Sequence, residues 1–204
     1  MKIGIDVSHW QANIDWKRVE NSGVDFAILK AGGSDNGLYT DNKFNFNYHN
    51  AKAQNIPVGA YFFIGKSFNT TNAIRQAQYF LSILKGKSFE LPIFIDVETL
   101  NGKNKNENTN AVLTFCDWME KHNAFIGIYG SDISTFKYML HYKFLDRFAF
   151  WVARYGVKPS YVTTWQIWQY SSKGRVPGIT GNVDRNVTYI DYPKIIVKKG
   201  LNRF

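Results

Sequence analysis

The stretch FIDVE, residues 94–98, constrains the chain more than any other. It lies in a largely apolar run, LPIFIDVETL, and carries two carboxylates two positions apart. In a strand, residues i and i+2 face the same side. Phe94, Asp96 and Glu98 therefore share one face, and Ile93, Ile95 and Val97 share the other. Burying unpaired charge is costly. Such a pair usually means chemistry or a metal, and the rest of the chain is read as what surrounds this strand.

Short apolar runs recur on both sides of this one. Residues 2–8, 25–31, 58–64, 91–98, 124–130, 147–155, 163–170 and 183–187 read as eight strands. Helical patterning fills residues 15–22, 41–54, 69–84, 109–121 and 131–141, and residues 192–199 carry a faint terminal element. Asp41 is placed to cap the second helix, and Asn69 or Thr70 the third, where Ala73, Ala77, Phe80, Leu81 and Leu84 recur at helical spacing. Residues 101–108, NGKNKNEN, hold no apolar side chain and read as an exposed loop.

Strands alternating with helices imply parallel strands joined by right-handed crossovers. Eight in order favour a closed α/β barrel; a doubly wound open sheet is the alternative and would not gather the acids. A full barrel of this kind takes about 250 residues, and this chain has 204. The segments between Tyr155 and Thr163 and between Tyr170 and Val183 are too short for helices. The expectation is an eight-stranded TIM-like β/α barrel with an incomplete helix ring, weakest after the sixth strand.

In parallel barrels the working residues stand at the C-terminal ends of the strands. Asp6 lies there on the first strand, Asp96 and Glu98 on the fourth, and Asp184 on the last. Tyr61 lies within the third strand, Tyr129 near the end of the fifth, Tyr155 ends the sixth, and Gln169 lies near the end of the seventh. Two carboxyls in unlike environments serve as general acid and as nucleophile or base, and such a pair flanking a sugar bond is the arrangement of glycoside hydrolysis. Acids holding a metal are the competing use. No HExxH, GxSxG, Walker loop or CxxC is present, and His9, His49, His122 and His141 lack ligand spacing. The acid pair taken alone leaves glycosidase, metal and structural uses open.

Charge and composition narrow the partners. The formal net charge is +9, yet only Lys198–Lys199 resembles a basic patch, so no nucleic-acid partner is expected. No run of about 18 apolar residues exists, so no membrane span is expected. A single cysteine, Cys116, excludes an intrachain disulfide and reads as a core thiol. The opening MKIGIDVSHW lacks the long apolar segment of a signal peptide.

The opening GIDVSHWQ, the segment VGAYFF, the strand FIDVE, the segment WVARY and the ending WQYSSKGRVPGITGNVDRN resemble, in that order, the family 25 glycoside hydrolases, the Chalaropsis-type lysozymes common among phage endolysins. The similarity runs from about residue 2 to residue 190, taken as the catalytic domain, with residues 191–204 as a C-terminal segment and possible start of a linker. The resemblance implies a flattened, irregular barrel and hydrolysis of the β-1,4 bond between N-acetylmuramic acid and N-acetylglucosamine in bacterial peptidoglycan, with retention, no cofactor and no metal. It makes Glu98 the proton donor and Asp96 its partner, as nucleophile or as the group orienting the substrate's 2-acetamido group. Asp6 and Asp184 become supporting acids. Tyr61, Phe63, Tyr129, Tyr155, Gln169 and Trp10 are expected to line the sugar cleft, with Trp168 in the core and Lys30 and Arg154 neutralising the acidic rim. Phe62 stands where members often carry His, and Arg185 where a small aliphatic is common. The resemblance also implies synthesis in the host cytoplasm without a signal peptide, release to the cell wall, and a possible C-terminal wall-binding domain if the chain is a fragment. An inactive glycan-binding module and a magnesium-dependent nuclease are the alternative functions.

Overall fold

The structure, a computed structural model, describes residues 1–100 and 104–204. Its strands are β1 (Lys2–Val7), β2 (Phe26–Gly33), β3 (Tyr39–Thr40), β4 (Val58–Phe63), β5 (Ile93–Asp96), β6 (Ile126–Ser131), β7 (Ala149–Ala153), β8 (Ile167–Gly174) and β9 (Val183–Thr188). The helices are α1 (Trp16–Asn21), α2 (Phe44–Ala53), α3 (Thr70–Leu84), α4 (Lys105–Lys121) and α5 (Tyr192–Lys199). The order β1-β9-β8-β7-β6-β5-β4-β2 closes through a β1–β2 pairing into an eight-stranded barrel, with the two-residue β3 appended to β2. The barrel is TIM-like and irregular, as expected, but its strands are not all parallel. β9 runs antiparallel to both β8 and β1. No helix forms between β8 and β9, so the chain turns back instead of crossing over.

The alternation within each strand sorts side chains into two cores. Outward-facing Ile93, Ile95 and Val97 join Ile5, Leu29, Ala60, Phe62, Ile128 and Val152 in a layer beneath α1–α4, with Phe44, Phe80, Phe115 and the buried thiol Cys116. Inward-facing Phe26, Ile28, Phe94, Tyr129, Trp151 and Ile167 fill the barrel. Glycines make that filling possible. A Cβ on Gly4 would stand 2.3 Å from the Phe26 ring, and one on Gly127 2.5 Å from the Phe94 ring.

The third helix follows the sequence closely. Asn69 Oδ1 accepts from the amides of Thr71 and Asn72, and the Asn72 side chain accepts from the Asn69 amide, a reciprocal cap in which the cap residue contributes about 1 kcal/mol. Asp41, by contrast, does not cap α2. Its carboxylate accepts from the amides of Lys43 and His9 and lies 2.7 Å from His9 Nδ1. Residues 132–139 form successive turns, not the expected helix. Two polar side chains there are committed elsewhere: Thr135 Oγ1 donates to the Val97 carbonyl, and Asp132 gathers the amides of Ser160, Tyr161 and Val162. Of the expected loop 101–108, residues 101–103 lie outside the described residues, and Lys105–Asn108 form the start of α4, capped by Asn104.

Residues 191–204, expected as a C-terminal segment and possible start of a linker, pack against the barrel. Tyr192 and Ile196 of α5 join the inner core and stop the end opposite the acids. Buried Asn202 donates to the Leu91 carbonyl and accepts from the Phe125 amide.

Candidate active site

At the open end of the barrel, β1 and β9 lie in register so that Asp6 faces Asp184 directly. Like charges opposite one another destabilise a strand pair, and burial together with the facing charge favours a proton held between the two acids. Burial, then the Asp184 charge, push Asp6 well above its ordinary value. Burial pushes Asp184 up to about 6, its hydrogen bond with Asp6 pulls the other way, and the Glu98 charge pushes up again. Amide groups complete the pair. Gln169 Nε2 donates to Asp6 Oδ2 and to Asp184 Oδ2, both at 3.0 Å, and Asn186 Nδ2 donates to Asp6 Oδ2 at 2.7 Å.

The second acid pair comes from β5, and its members differ. Asp96 ends the strand and is 5% exposed. Its Oδ1 is buried with no hydrogen-bond partner among the described residues. Burial, then the neighbouring Glu98 charge, push its pKa well up, against the opposing charge of Lys30. Glu98 lies two residues beyond the strand end, with its side chain opening to solvent. Partial burial raises its pKa, while Tyr129 and Lys30 pull it down. The expected strand stops short of Glu98, but the chain stays tethered there: the Val97 amide donates to the Tyr129 carbonyl and Thr135 donates to the Val97 carbonyl.

All four acids open into one cleft of about 180 Å³, lined also by Ser8, Trp10, Lys30, Tyr61, Phe63, Tyr129 and Trp151. Trp10 is 79% exposed, on a turn that Ser8 caps by accepting from the Trp10 amide, with the His9 ring 4.9 Å away. Lys30 Nζ sits 4.9 Å from the Phe63 ring centroid. Tyr155 stands half exposed at the rim, its pKa raised to about 12 by burial and then by Asp184.

Three expectations change. Gln169 is 1% exposed with its amide fully used, so it does not line a sugar site. Arg154 pairs with Asp132 at 2.8 Å, away from the acidic rim. Trp168 is partly exposed on the outer face of β8, its Nε1 donating to the Arg154 carbonyl. Two contributors were missed, Trp151 and Asn186. Asn186 was findable, because it lies two residues from Asp184 on a strand and so shares its face.

Residues 5–179 match the glycosyl hydrolases family 25. The chain belongs to this family. It is 34% identical over 213 aligned residues to Lysozyme M1 of Streptomyces globisporus, which covers 90% of this chain but only 66% of that relative. Among solved structures, it superposes on the CTP1L endolysin with a TM-score of 0.84 at 29% identity, covering 97% of this chain and 70% of that one. A bacterial lysozyme from Streptomyces coelicolor gives 0.78 at 30% identity, covering 96% and 95%. The two departures from the family pattern point away from the cleft. Phe62 packs outward against Phe80 and Phe115, and Arg185 runs outside β9 close to Gly174.

Proposed function

We propose that the chain is a lysozyme catalytic domain, an endo-β-N-acetylmuramidase that cleaves the β-1,4 bond between N-acetylmuramic acid and N-acetylglucosamine in bacterial peptidoglycan. The observation that carries this is the unequal pair on β5: an enclosed Asp96 and an open Glu98 at one aromatic-lined mouth.

Glu98, at the mouth, protonates the leaving glycosidic oxygen. Asp96, short of a donor at Oδ1, takes the N–H of the 2-acetamido group and turns its carbonyl oxygen toward the anomeric carbon. That oxygen bonds to the carbon as the glycosidic bond breaks. Water then attacks the same carbon, Glu98 takes its proton, and the acetamide is restored. Two displacements at one carbon give retention. Burial and the neighbouring Glu98 charge make Asp96 the stronger proton holder in the free protein. A bound sugar reverses the order, because its N–H stabilises the Asp96 anion while its bulk covers the open side of Glu98. Trp10, Tyr61, Phe63 and Tyr155 offer flat faces to the sugars.

The donors around Asp6 speak against a magnesium nuclease: Gln169 and Asn186 both point N–H groups at the oxygen a cation would need. The net charge of +9 suits a wall carrying anionic polymers. Together with the similarity to an endolysin it supports release from a host cytoplasm to that wall.

Mass analysis of the products from defined peptidoglycan, with a chelator present, tests the assignment. Fragments ending in reducing N-acetylmuramic acid are expected. Fragments ending in reducing N-acetylglucosamine, or loss of activity with the chelator, would overturn it.

A further inference from the structure

We propose that Asp41 is a positioning residue for substrate binding: its carboxylate clamps the turn that carries Trp10, so that the indole stands at the mouth of the cleft before a sugar arrives. This rests on the reading of the cleft as a glycan site.

The aromatic faces of the cleft are held in unequal ways. Tyr61 and Phe63 belong to β4 and are fixed by its ladders to β2 and β5. Trp10 has no ladder. β1 ends at Val7, and Trp10 lies beyond it on the short turn His9–Gln11, 79% exposed. Its one ring contact among the described residues is with His9, which has to be held in its turn. Two bonds lie within the turn: the Trp10 amide donates to Ser8 Oγ at 3.2 Å, and the Ser8 amide to Gln11 Oε1 at 3.0 Å. They set the shape of the turn and not its place.

Among the described residues, hydrogen bonds tie residues 8–13 to more distant parts of the chain at three places. Two are exposed: Gln11 Nε2 donates to the Asn182 carbonyl at 3.4 Å, and Lys43 Nζ donates to Asn13 Oδ1 at 2.7 Å. Water competes with both. The third is enclosed. Asp41 Oδ2 accepts from the His9 amide at 3.1 Å and from His9 Nδ1 at 2.7 Å, and the Asp41 side chain is out of solvent altogether. A carboxylate only accepts, so Nδ1 carries the hydrogen. One oxygen thus fixes the backbone of the turn and the ring beside Trp10 together. Asp41 is itself held. Its amide donates to the Ala31 carbonyl of β2 at 2.9 Å, its carbonyl accepts from the Phe44 amide at 3.0 Å, and Oδ1 accepts from the Lys43 amide at 2.9 Å. The clamp therefore runs from Trp10 through His9 to β2, the strand that also brings Lys30 to the cleft. Asp41 was expected to cap α2; its carboxylate serves this turn instead.

A sugar that met a loose turn would have to order it, and that ordering subtracts from binding. Trp10 faces the bound sugar before and during bond cleavage alike, so holding it in place serves affinity and not the chemical step.

The whole chain acting on soluble peptidoglycan fragments supplies the test. Asp41→Ala should raise KM about ten-fold, with kcat changed less than about two-fold. His9→Phe keeps a ring beside Trp10 and removes the Nδ1 bond, and KM should rise about five-fold. His9→Asn loses the ring but sets a side-chain N–H where Nδ1 stood, and KM should return to within about two-fold of the parent. In a Trp10→Ala background, His9→Phe should have no further effect, since the clamp acts through Trp10. Nitrogen-15 relaxation of the Trp10 amide follows the same order with no substrate present. Its order parameter should be about 0.85 in the parent and in His9→Asn, and below about 0.6 in His9→Phe. That readout separates loss of the clamp from a wrong substrate assignment. A rigid Trp10 amide in His9→Phe overturns the proposal whatever the substrate. So does a KM that rises as much in His9→Asn as in His9→Phe, or a His9→Phe effect that persists once Trp10 is removed. The His9 variants decide the matter even if Asp41→Ala fails to fold.

Discussion

The two carboxyl pairs of the cleft are built on opposite plans. Asp6 and Asp184 face each other across β1 and β9 and receive N–H groups from Gln169 and Asn186. Their orientation is settled before any sugar arrives. Asp96 and Glu98 follow one another along a single strand and its extension. One is enclosed with an oxygen lacking a donor, and the other opens to solvent. The first pair is a finished piece of scaffold. The second is left incomplete, and a substrate that brings an N–H and excludes water completes it. Buried polar groups left unsatisfied cost about 1–3 kcal/mol, so incompleteness here is stability given up for function.

The largest effect is expected from Glu98→Gln. Removing a positioned general acid costs on the order of 10²–10⁴-fold, so wall clearing should fall about 1,000-fold with the fold intact, measured by turbidity and circular dichroism. Near-normal clearing would remove Glu98 from its role. Asp96→Asn should cost about 100-fold or more, the size of a lost electrostatic contact in the transition state. The same change should raise thermal stability, because an amide replaces a buried carboxyl that has no partner at Oδ1 and sits beside Glu98. A relief of about 1 kcal/mol corresponds to roughly 2–4 °C in a domain of this size. If activity falls but Tm falls with it, the Asp96 carboxyl is satisfied in the folded protein and its pair is not the incomplete one.

How far the sequence reaches can be traced through the same residues. The two-residue alternation in FIDVE placed Ile93, Ile95 and Val97 on the outer core and Phe94 and Asp96 inside, because strand geometry is local. It could not say where the ladder stops, so Glu98 was read as part of a strand it only follows. The antiparallel course of β9 was not legible, since alternation is identical for either strand direction. Nor was the stopper formed by Tyr192 and Ile196, whose burial depends on a barrel end assembled from distant strands. Gln169, expected near the end of a strand over residues 163–170, lies near the start of β8, which begins only at Ile167, and its role differs from the expected one as well. Only the mutual geometry of Trp151, Asn186, Asp6 and Tyr129 shows that its amide has nothing left to offer a sugar.

The smallest expected effect concerns the finished pair, and its sign is specific. The unfolded value of Asp184 is near 3.8 and its folded value about 6, raised chiefly by burial. Between those limits the folded protein retains a proton that the unfolded chain has released. Stability from this group is therefore full below about pH 3.8 and is lost as pH rises through about 6. Asp132 runs the other way. It is held below its ordinary value because the amides of Val162, Ser160 and Tyr161 and the Arg154 guanidinium outweigh its burial, so its contribution is lost on acidification. The total stability curve mixes the two, and Asp184→Asn isolates the first. The Tm of Asp184→Asn relative to the parent should rise between pH 4 and pH 7, by about 3 °C after allowing for solvent on the open side of Asp184. It should be flat above that range. A difference that does not change with pH would mean that no proton is shared across β1 and β9, and that the two acid pairs are less unlike than their geometry makes them.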